Sequence, residues 1–266
     1  MAAPTPASIP RSITARAILL FTISTVVQCA VLVAAPSQLA AGTTGRHLFS
    51  TFEMLLVLGL AALGWRIVAW ARSEQSDPLV RRAAELCFAS LVLCAVGDLI
   101  NRNYLEQSFQ WDDVVRHSYL ITSIWAFLPG YAVVVWANRT VTRHAVPARA
   151  AAATVGIAVV VGLGAFAGNR VAGMGGYPSA MVLAYTVVLT VLAASTLWLV
   201  RVFGWEAALV PVLGCLLAVV ADLLIGTWWI AEDRYPVVEH ANWIIYFASL
   251  AMIQQLPSVV ATRRST

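Results

Sequence analysis

The chain contains no lysine and little charge of either sign. Of its 266 residues only 11% are Asp, Glu, Lys or Arg, and the net charge of +4 rests on arginine alone. Without a lysine no retinal Schiff base can form, so a retinal protein is excluded. Cysteine is scarce too. Cys29, Cys87, Cys94 and Cys215 all lie in apolar segments with no CxxC spacing, which excludes a disulfide framework and a thiolate metal site. The glycine-containing stretches "GLGAFAGNR" (162–170) and "MGGYP" (174–178) lack the strand-to-helix context of a phosphate loop. No GxSxG, Walker or heptad pattern is present.

What is abundant is apolar surface. Hydrophobic residues make up 60% of the chain and mean hydropathy is +0.80, far above a soluble protein. Apolar runs long enough to cross a bilayer recur throughout, at about 14–36, 48–71, 80–103, 115–137, 148–168, 179–202, 206–230 and 239–261. The expected fold is therefore all-α: one polytopic membrane domain of eight helices. The first run follows basic residues, as in a signal peptide, but it spans a bilayer and seven more follow, so it is expected to be the first membrane helix. With the N-terminus inside, twelve arginines fall on the cytoplasmic side and five outside. That asymmetry places both termini in the cytoplasm of a bacterial inner membrane, and it needs no nucleic-acid partner to explain it. "NRT" at 138–140 has the glycosylation spacing but falls on the cytoplasmic side.

The two halves resemble each other. "LVLCAVGDLI" (91–100) aligns with "CLLAVVADLL" (215–224), setting Asp98 over Asp222. With one residue deleted, "VVRHSYLITSIW" (114–125) falls over "VVEHANWIIYFA" (237–248), pairing His117 with His240. Two parallel four-helix repeats are expected, at about 13–140 and 147–262.

An aspartate in hydrocarbon costs about 2.5–3.5 kcal/mol, so intramembrane acids usually face a cavity or a partner and mark function. Asp98, Asp222 and Glu53 are accordingly the candidate catalytic residues. The competing reading pairs each acid with Arg102 or Arg170 as a structural tie. Two crowded, buried carboxyls share a proton, which provides one neutral acid and one anion. In an apolar hollow the fitting substrate is a lipid or prenyl molecule, and the fitting first step is protonation of an electron-rich C=C bond. Asn101, His117, Tyr119, Tyr185, His240, Asn242 and Tyr246 lie at similar depth and are the candidate substrate-binding residues. No HxxxH or HxxE spacing appears, so no metal is expected, and no cofactor is needed. The tryptophans mostly fall at helix ends, where an interfacial belt accounts for them.

"VGDLI" in the third helix, "ADLLI" in the seventh and "WIIYFASLAMIQ" in the last resemble the YhhN-type lysoplasmalogenases. The matching positions are Gly97-Asp98, Ala221-Asp222, Tyr246 and Gln254, with His117 and Tyr119 at the start of helix 4. Ala221 stands where the family has serine, and the loop at 103–113 differs. The resemblance implies hydrolysis of a vinyl-ether lysophospholipid to an aldehyde and a glycerophospho-alcohol. The alternative is an integral-membrane terpene cyclase, whose acids would be Glu53 and Asp222. A third reading is a proton-coupled transporter. Oligomeric state is left open.

Overall fold

In the computed structural model the described residues are 9–34, 44–73, 77–102, 104, 118–170, 173–230 and 237–263. They form α1 (Arg11–Ala34), α2 (Thr44–Ser73), α3 (Pro78–Asn101), α4 (Ser118–Thr142), α5 (Ala148–Gly168), α6 (Gly176–Phe203) and α7 (Trp205–Leu224). A π-helical turn, Ile225–Ile230, extends α7; α8 (Val237–Ile253) and α9 (Leu256–Arg263) together make the last span. Eight segments are long and apolar enough to cross a bilayer, and no strand occurs among the described residues. This is a multi-pass helical membrane protein. Hydrocarbon offers no partner to a free N–H or C=O, so a chain this apolar satisfies its backbone within each helix.

Local chemistry sets the helix ends. Asp77 caps α3 by accepting the Leu79 N–H at 2.8 Å, and Pro78 occupies the first position, where no donor is needed. Gly204, at φ +79°, is the single residue between α6 and α7, a backbone turn that only glycine adopts without strain. The sequence pattern runs the seventh helix straight to 230. The structure instead widens it into a π turn just past Asp222, where one extra residue is accommodated per turn. It also breaks the last helix at 254–255, where Gln254 turns to donate to the Cys87 carbonyl of α3 at 2.9 Å.

The helices pack side by side in the order α1, α2, α3, α4, α6, α7, α8, and α8 returns to α1. α5 stands outside this ring against α6, and only 17% of its most apolar stretch is buried. Large apolar side chains such as Leu55, Trp125, Val160 and Leu197 face outward, as a lipid-facing surface requires. Inside the bundle the hydroxyls bond back to their own helix, as Thr190 does to Thr186 and Ser195 to Leu192. Between helices, Asn138 of α4 donates to Ser195 Oγ of α6 at 2.9 Å.

One close approach shapes the site. A methyl on Gly97 of α3 would meet the Phe127 ring of α4 at 2.7 Å. Gly97→Ala is therefore expected to destabilise the protein by about 1–3 kcal/mol through overpacking. Gly156→Ala, where nothing lies within 4 Å, is the control and should be neutral or slightly stabilising. Thermal unfolding in detergent checks both. Equal midpoints for the two variants would show that the ring moves aside freely.

Candidate functional site

The chemistry-bearing side chains gather at one end of the bundle, where α1, α3 and α7 end and α2 and α8 begin. Asp98 lies one turn before the end of α3, and Glu53 nine residues into α2, about 13 Å down its axis. Both are buried, at 3% and 0% exposure.

Glu53 is fully engaged. Gln28 Nε2 of α1 donates to its Oε1 at 2.6 Å, and Arg102, just past α3, forms an ion pair with its Oε2. Arg102 also lies 3.9 Å from Glu239 Oε1 and stacks over the Trp243 ring at 4.5 Å. Glu239 in turn receives Arg46 through two contacts of 2.7 Å. Because Gln28 donates through Nε2, its Oε1 accepts the hydrogen bond from His240 Nδ1, which sets the histidine tautomer. Trp243 Nε1 donates to Ser24 Oγ at 3.0 Å. These contacts lace α1, α2, α3 and α8 together.

Asp98 accepts a hydrogen bond from Tyr246 at 2.9 Å. Asp222 differs. Its Oδ2 is buried and makes no hydrogen bond among the described residues. The Tyr131 and Tyr185 hydroxyls lie close to it, yet each is likewise buried without a hydrogen bond of ordinary geometry. Their rings stack at 6.0 Å, and Phe127 continues the aromatic row to Tyr131 and to Tyr246.

Two hollows lie side by side, and Asp222 lines both. A polar chamber of about 30 Å³, lined by Asp98, Asp222, Asn101, Arg102, Asn242 and Tyr246 among others, has room for a water or two. An apolar pocket of about 260 Å³ opens between α4, α5, α6 and α7, with Phe127, Phe166, Tyr185 and Leu189 on its walls. Asn101, Phe127, Asp222 and Ile225 border both. In the chamber, Asn101 Oδ1, Arg102 Nε and Asn242 Oδ1 are also buried and unpartnered among the described residues. Unmade bonds of this kind are costly unless a bound molecule completes them.

Of the sequence-stated candidates, Asp98, Asp222, Asn101, Asn242 and Tyr246 surround the chamber, and Tyr185 borders the pocket beside it. Glu53 and His240 belong to the adjoining ionic cluster. His117 lies outside the described residues, as does the side chain of Tyr119. Gln28, Glu239, Arg46 and Tyr131 join these groups without being candidates from the sequence. Gln28 had a legible signal, a lone amide inside "STVVQCAVL", whereas Tyr131 resembles ordinary apolar filling. No group of three or more His, Cys, Asp or Glu side chains able to hold a metal occurs among the described residues.

Searches against family models, curated proteins and solved structures found no match.

Proposed function

We propose that the protein is a membrane-embedded enzyme that hydrolyses a vinyl-ether lysolipid, with Asp98 and Asp222 as its acid–base pair. The observation that carries this reading is the shared lining: both carboxyls border a water-sized chamber, and Asp222 also lines the apolar pocket beside it. A lipid chain fits the pocket, and the hydrolytic water fits the chamber. Asp222, whose Oδ2 is unpartnered among the described residues, is the acid; Asp98, which accepts from Tyr246, is the base.

The proton of Asp222 goes to the β-carbon of R–O–CH=CH–R′, leaving an oxocarbenium ion and a carboxylate. Water attacks that cation as Asp98 takes its proton. The hemiacetal then collapses to the alcohol ROH and the aldehyde R′CH₂CHO, and the proton on Asp98 restores Asp222. The reaction consumes one water and uses no cofactor. The arginine asymmetry supports a cell-membrane orientation with both termini cytoplasmic, which puts the acid pair toward the outer leaflet.

A second reading, a prenyl-lipid cyclase, is favoured by the aromatic walls of the pocket, since Phe127, Phe166 and Tyr185 offer faces to a carbocation. Its acid pair would include Glu53, which here is held between Gln28 and Arg102. The test is incubation of purified full-length protein with lysoplasmalogen and, separately, with prenylated substrates. Free aldehyde is the expected product. Its absence, with cyclised prenyl product formed instead, would overturn the hydrolase reading.

A further inference from the structure

At the opposite end of the bundle lies a groove of about 560 Å³ between the start of α3 and the end of α4. It is lined by Leu79 and Arg82 of α3 and by Trp136, Thr140, Arg143 and His144. This end collects the helix termini that carry Arg72, Arg81, Arg82, Arg139 and Arg143. It therefore sits at head-group level on the arginine-rich side of the membrane.

The charges in the groove are poorly used within the chain. Arg82 stacks on Trp136 at 5.1 Å, and its only acidic contact among the described residues is Glu85 at 3.8 Å. Glu85 is shared with Arg72, which holds its Oε1 at 2.8 and 3.2 Å and leaves Arg82 the longer contact to Oε2. Arg143 spends one donor on His144, which leaves both terminal guanidinium nitrogens without a partner among the described residues. Asp77, the acid of the lining, accepts the Leu79 N–H at Oδ1 and sets one negative charge against the two arginines, so the groove stays net positive. An arginine fork facing an open groove matches phosphate geometry, and an exposed tryptophan beside it is the residue type that settles at the head-group boundary.

We propose that this groove binds the phosphate of an anionic phospholipid head group, through Arg82 and Arg143 with Thr140 and His144 beside them. The lipid source is favoured over free phosphate because Trp136 and Leu79 present apolar surface next to the charges, where acyl chains would begin. Basic pockets between membrane helices are suited to such head groups. The site is remote from the acid pair and independent of the reaction assigned to it.

The experiment titrates full-length protein in neutral detergent with phosphatidylglycerol, phosphatidylcholine or inorganic phosphate. Retained lipid is read by native mass spectrometry, and stability by the thermal midpoint. Phosphatidylglycerol is expected to be retained and to raise the midpoint, with Arg82→Gln/Arg143→Gln weakening its binding about tenfold or more. Arg149→Gln, also on the same membrane side but outside the groove, should leave binding unchanged. Both positions are exposed, so the variants should fold. Equal retention of phosphatidylcholine, an unchanged double variant, or an equal effect of inorganic phosphate alone would overturn the proposal; the last would identify a free-anion site.

Discussion

Asp222→Asn is expected to lower vinyl-ether hydrolysis by roughly 10²–10⁴-fold, the usual contribution of a positioned general acid. Asparagine has the shape of aspartate but no proton to give. The Tyr131 and Tyr185 hydroxyls beside Asp222 can donate to an asparagine Oδ1 as to a carboxylate, so the fold should be retained. Asp98→Asn should cause a loss of the same order, because water at the chamber would then meet no base. Initial rates of aldehyde release measure both effects, with the thermal midpoint as the check on folding. A folded Asp222→Asn protein within a few-fold of the parent rate would remove the acid from the mechanism. The control that separates the chemistries is Glu53→Gln. If Glu53→Gln and Asp222→Asn each abolish prenyl cyclisation while Asp98→Asn is tolerated, the pairing is that of the cyclase.

The largest effect on stability is expected at Arg102. Its side chain is 7% exposed and its partner Glu53 is fully buried. Arg102→Met leaves a buried carboxylate without its counter-ion, and removing one partner of such a pair typically costs about 3–5 kcal/mol. Glu53→Gln in the same chain should recover most of that loss, since a neutral amide can still accept from Gln28. The denaturation midpoint of the single and double variants in mixed micelles reports the difference. Near-parent stability of Arg102→Met would show that water or lipid reaches Glu53. Recovery in the double variant marks the cluster as a structural tie, distinct in role from the Asp98–Asp222 pair one turn away.

The division of labour among the three acids was only half legible in the chain. Each stood out by the same signal, a charge inside an apolar run, and cost alone marks all three equally. What separates them is who stands opposite. Glu53 meets Gln28, 25 positions earlier, and Arg102, 49 positions later. Asp98 meets Tyr246 at a separation of 148. No local pattern encodes such pairings. Gln28 illustrates the limit well: its amide is visible in the first span, but its bonds to α2 and α8 depend on helix neighbours that hydropathy does not specify.

Helix number and approximate ends were written in the chain itself, because a bilayer imposes about 20 apolar residues per span and forces every backbone group to bond within its helix. That constraint is one-dimensional, so a one-dimensional reading suffices. The order of helices around the ring, the π turn after Asp222, the engagement of Glu53 and the placing of a small polar chamber beside an apolar pocket were decided only in three dimensions. They depend on which side chains face each other across the bundle, and between lipid-solvated helices that choice comes from packing and rare polar contacts rather than from hydrophobicity.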